Sequence, residues 1–71
     1  MVLLLSLNLQ IQAEEELPEI IGEHYRHGLQ YFKEDQYQKA LQEFQAVLSQ
    51  LPHFFPANYY LAEIYQTQGL P

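Results

Sequence analysis

Between Glu19 and Lys33 the apolar residues Ile20, Ile21, Tyr25, Leu29 and Phe32 recur three or four positions apart. That spacing lines one face of an α-helix, so a helix is predicted over about residues 19–33. Glu19 and Glu23 fall in its early turns, where carboxylates favour the positive end of the helix dipole. Glu34-Asp35-Gln36 is a short polar break, and Asp35 reads as the N-cap of a second helix, with Gln38 completing a capping box. The next stripe, Tyr37, Ala40, Leu41, Phe44, Val47, Leu48 and Leu51, predicts that amphipathic helix over about Tyr37 to Gln50. Pro52 stops it, because it lacks a donor and disfavours helical backbone at Leu51. A third helix is expected from Pro56, suited to a first helical position, through Ala57, Tyr60, Leu61, Ile64 and Tyr65 to a stop at Gly69.

The stripes belong to a repeat. Leu17-Pro18 returns as Leu51-Pro52, Tyr25 as Tyr59, Tyr31 as Tyr65, and small Gly28 as small Ala62, each 34 residues on. A fixed period of this length implies a supersecondary unit stacked on a copy of itself, since one unit cannot bury its own apolar face. Slim residues at Gly28, Ala40 and Ala62 are expected to let neighbouring helices nest, with Phe44 interior. Arrays of this kind present surfaces more often than they perform chemistry.

Residues 1–13 admit three readings. As a helix they align one period before the second one, with Ser6-Leu7 over Ala40-Leu41 and Ala13 over Val47. As a secretory signal, Val2 to Leu9 supply the apolar stretch, but no Lys or Arg precedes it and Ser6 and Asn8 interrupt it. As a strand, Leu5, Leu7, Leu9 and Ile11 alternate with polar residues, yet no second strand is in sight to pair with them. The residues leave the location open, with the cytoplasm slightly favoured and export expected if residues 1–13 are a signal peptide. The chain divides into an N-terminal segment (1–18), a first unit (19–54) and the first helix of a second unit (55–71).

Composition narrows the function. The chain has 71 residues, 48% of them hydrophobic. A domain of this size buries only ~60% of the surface its unfolded chain exposes, so its core is small. Nine acidic against three basic residues give a net charge of −6. Arg26, Lys33 and Lys39 stand apart, which argues against nucleic acid, a ligand that needs clustered cations. Glu14-Glu15-Glu16 reads as a solvated face. No apolar run reaches the ~20 residues of a membrane span. There is no Cys. His24 and His27 share a helix face, but His53 lies in a distant loop, so no metal centre is expected. No nucleophile lies beside a base in a recognisable pattern and no Gly-rich phosphate loop occurs, so neither an enzyme nor a cofactor is expected.

The residues Gly28, Tyr31, Tyr37, Ala40, Phe44 and Pro52, followed one period later by Leu61, Ala62, Tyr65 and Gly69, resemble the tetratricopeptide repeat. The resemblance covers about Ile20 to Pro71, one and a half repeats. His24 and His27 depart from it, standing where Trp and Leu are usual. It implies an all-α fragment of an α-solenoid: an antiparallel helix hairpin and a further helix, with the N-terminal segment as a possible extra helix. It also implies a non-catalytic protein–protein interaction module that takes a protein or peptide segment in a concave groove. The groove positions carried over are Tyr25, Leu29, Phe32 and Lys33 in the first unit and Tyr59, Glu63 and Gln66 in the second. Tyr25, Leu29 and Tyr60 occupy the places where one subclass clamps chaperone carboxylate termini with Lys and Asn, so that clamp is absent. The alternative implied role is structural: a piece that self-associates as a homo-oligomer or docks onto the rest of a larger solenoid, exported for envelope assembly if residues 1–13 are a signal.

Overall fold

A computed structural model describes residues 17–69. The readings of residues 1–13 lie outside the described residues. Three helices run α1 (Glu19–Lys33), α2 (Tyr37–Gln50) and α3 (Phe55–Thr67). Helix accounts for 79% of the described residues and no strand occurs among them, as an all-α fold requires.

Each boundary has a local cause. Pro18, extended at φ −51° and ψ 145°, precedes α1, and its carbonyl accepts from the Gly22 amide at 2.9 Å. At the far end Asp35 takes a left-handed φ of 60°. The Gln36 amide then donates to the Tyr31 carbonyl at 2.9 Å and the Asp35 amide to that of Phe32 at 3.1 Å. These are the two bonds of a Schellman termination. Asp35 therefore closes α1 and does not cap α2, whose N-cap is Gln36 with no side-chain bond. The expected capping box is absent as well: the Gln38 amide reaches Gln68 at 3.3 Å instead. Pro56 sits one place inside α3, which begins at Phe55. Asn58 braces the preceding turn by donating to the Pro52 carbonyl at 3.2 Å.

The α1–α2 pair is antiparallel and forms the largest interface, with α3 laid against α2 in turn. Ile21, Tyr25, Ala40, Phe44, Val47, Ala57 and Ile64 make the core. Tyr37, Leu41, Leu48 and Leu51 from the predicted α2 stripe are partly buried against it. Gly28 is buried where a Cβ would come within 2.7 Å of the Phe44 ring, so α1 and α2 approach here only because glycine has none. Gly28 and Ala40 nest as the repeat demands, and Phe44 is fully interior. Ala62 does not: it is exposed. No described helix lies over α3 as α2 lies over α1. Ile20, expected in the stripe of α1, is 70% exposed because the stripe that faces α2 runs through Ile21 and Tyr25.

Candidate functional site

Aromatic rings join the helices. Tyr60 of α3 stacks on Phe44 of α2, 5.5 Å between centroids and 11° between planes. The same Tyr60 meets Phe32 of α1 edge-on at 5.2 Å. Tyr25, midway along α1, meets Phe54, just before α3, at 5.4 Å, and Phe44 at 6.1 Å. The middle of α1 thus lies beside the start of α3, and the end of α1 beside its middle. The two helices run parallel, one turn of the array apart. Edge-to-face and stacked pairs of this kind add ~0.5–1.5 kcal/mol each beyond burial.

The sequence-predicted groove positions lie on these two helices, and the residue of α3 that meets Phe32 is Tyr60, next to the predicted Tyr59. On α1, Leu29 and Phe32 are partly buried against the core and Lys33 is exposed. On α3, Tyr59 is half exposed, Glu63 is intermediate and Gln66 is exposed. Tyr25 stands apart from the others: at 5% exposure it is a core side chain and lines no open wall. Its ring is enclosed by Phe44 and Phe54, a loop residue whose position the helical periodicity does not report.

Polar contacts fix the turns. The Gln30 and Gln36 amides donate to separate oxygens of Glu34 at 2.7 and 2.8 Å. The Tyr37 hydroxyl donates to Asp35 Oδ1 at 3.0 Å, and that bond, with burial and the Asp35 charge behind it, raises the Tyr37 phenol above its ordinary value of 10.0. His24 Nδ1 lies 2.7 Å from Glu43 Oε2. An ionised carboxylate only accepts, so Nδ1 is the protonated nitrogen in this bond. The pair ties α1 to α2 across 19 positions, and no sequence signal marked it. Among the described residues no three His, Cys, Asp or Glu side chains converge as metal ligands. No described helix is long and apolar enough to cross a membrane. A cleft of about 380 Å³ opens between α1 and α2, beside Ile20 and His24 and away from the Phe32–Tyr60 contact.

Phe55 is a surface residue that the groove assignment left out. It is 74% exposed and lies 6.3 Å from Tyr59, ring to ring. Comparing it with Ile21, its counterpart one period earlier, is the signal that would have found it.

No curated protein and no solved structure matches the chain. A family model does: the tetratricopeptide repeat, over residues 31–71. The match spans 41 of the 71 residues and takes in all of α2 and α3. With a 34-residue period, a glycine-for-ring contact between paired helices and the stacked hairpin all in place, the chain belongs to the tetratricopeptide-repeat family.

Proposed function

We propose that this chain is a non-catalytic protein-binding module that takes a partner segment across the parallel pair α1 and α3. The contact between Phe32 and Tyr60 supports this reading above all, because it holds the two helices in register. Leu29, Phe32 and Lys33 then face the segment from one side and Tyr59, Glu63 and Gln66 from the other. Tyr25 acts from beneath, keeping Phe54 and the start of α3 in place. The surface combines apolar and aromatic area with one cation and one carboxylate, a set that fits a mixed peptide better than a charged polymer. Few anchors suffice: at ~1–2 kcal/mol each on a preformed scaffold they reach micromolar affinity.

A peptide selected from a displayed library against the whole chain tests this. Lys33→Glu with Tyr59→Ala alters two exposed positions and spares the core. It is expected to weaken the selected peptide by about tenfold or more, with the far-UV circular dichroism unchanged. Equal affinity for the parent and the double variant would remove the groove from the account.

A further inference from the structure

The chain has three basic residues, and the fold treats them differently. Lys39 lies over the Tyr31 ring, 5.7 Å from its centroid. Arg26 and Lys33 are both exposed, and among the described residues neither side chain makes an ion pair or hydrogen bond. Glu23 stands one turn before Arg26, yet the guanidinium folds back over Gly22 instead. Its Nη1 lies 3.1 Å from where a Cβ on that glycine would be. Long side chains on a helix lean towards its N-terminus, and Gly22 leaves the room for this one to do so.

Gly22, Arg26, Leu29 and Lys33 follow at i, i+4, i+7 and i+11, one stripe of α1. Leu29 and Lys33 are groove positions, so Arg26 adds a second free cation to that wall. On the facing helix the only charged residue is Glu63. A chain of net charge −6 thus turns its two unpartnered cations to one side of the groove. Resting on the groove reading above, we infer that the segment taken there is acidic along one edge, with two side-chain carboxylates that pair with Arg26 and Lys33. Seven helical residues separate the cations by ~10 Å along the axis. A polyproline-like segment returns to the same face every third residue, ~9 Å on, so carboxylates three positions apart match them. The residues between are left for Leu29 and Tyr59. Arg26 can hold its carboxylate through two parallel bonds. Glu63 repels a segment that is acidic on both edges, and two cations are too few to hold a polyanion.

The probe is the heptapeptide Phe-Glu-Pro-Leu-Glu-Pro-Phe, acetylated and amidated so that only its side chains are charged. It is titrated into the full-length chain beside a twin with Gln for both Glu, and amide chemical shifts are followed. The Glu peptide is expected to bind about tenfold tighter than its twin, with shifts at Arg26, Leu29, Lys33 and Tyr59. Its advantage should shrink by about half or more between 50 and 500 mM salt, on the order expected for exposed pairs. Arg26→Glu and Lys33→Glu, both exposed substitutions, should each weaken the Glu peptide about fivefold and leave the Gln twin unchanged. Combined, they should favour a third peptide with Lys for both Glu, a rescue that a merely structural role for Arg26 would not produce. Equal affinities for the Glu and Gln peptides, a Glu peptide indifferent to Arg26→Glu, failure of the Lys peptide to gain on the double variant, or no binding at ~1 mM would each overturn the inference. Equal affinities with shifts still at Leu29 and Tyr59 would leave the groove standing and remove only its preference for acid. The groove itself is judged by the library-selected peptide.

Discussion

The contact between Gly28 and Phe44 shows how much one missing carbon decides. Alanine is the better helix former by ~1 kcal/mol, so propensity alone favours Gly28→Ala. Packing opposes it: the added Cβ would lie 2.7–2.9 Å from three atoms of the Phe44 ring. Phe44 is fully buried, between Tyr25 and the stacked Tyr60, and has nowhere to swing. Overpacking of this sort costs ~1–3 kcal/mol, which outweighs the propensity gain. Gly28→Ala is therefore expected to lower the urea midpoint, and Phe44→Leu is expected to be less harmful in that background than alone. The coupling between them, measured as a double-mutant cycle, should be at least ~0.5 kcal/mol. A chain made more stable by Gly28→Ala would show that the helices are not held at this distance by the ring.

At the scale of the helices, stability turns on how they end. Asp35 and Gly69, one period apart, are the two described residues with positive φ, at 60° and 72°. Glycine accepts that backbone freely, whereas an L side chain is disfavoured there by ~1–2 kcal/mol. Asp35→Gly is thus expected to raise stability by about 1 kcal/mol, offset in part by losing the exposed bond from Tyr37. The same substitution has a second readout. The Tyr37 phenol is held above 10.0 first by its bond to Asp35, then by burial and the Asp35 charge. Its stabilising share is present below pH 10 and fades as pH rises through the raised folded value. Removing Asp35 should bring the Tyr37 titration, followed through its ring carbon by NMR, back towards 10.0; an unmoved titration would contradict the hydrogen bond. This turn also shows where sequence ran out. The spans of α1 and α2 were legible because an apolar period and Pro or polar breaks agree on them. Asp35 was not, since aspartate favours both an N-cap and a left-handed C-terminal position, and only the backbone separates the two. Ile20 and Ile21 both fit a helical stripe until the direction of α2 is known. Ala62 and Tyr25 were legible as repeat positions, but whether each is covered depends on a neighbouring helix, which a single stripe does not contain.

For the whole molecule the question is whether the three helices stand or fall together. A stacked array can unfold unit by unit, because each unit touches only its neighbours. Here one side chain serves both interfaces: Phe44 lies against Gly28 and Tyr25 of α1 and stacks on Tyr60 of α3. Phe→Ala at a fully buried site costs ~3–5 kcal/mol. A domain of this size has about 0.05–0.15 kcal/mol per residue to lose, or roughly 3–8 kcal/mol over the described part. The loss is therefore comparable with the total, and Phe44→Ala is expected to melt α1, α2 and α3 at once at about 25 °C, seen as loss of far-UV ellipticity together with collapse of amide dispersion in all three. Phe55→Ala, at a site 74% exposed, should shift stability by no more than ~0.5 kcal/mol and serves as the control for simply deleting a ring. If Phe44→Ala left α3 folded while α1 came apart, the aromatic bridge through Tyr60 would be incidental, and the register of α1 against α3, on which the groove rests, would need another source.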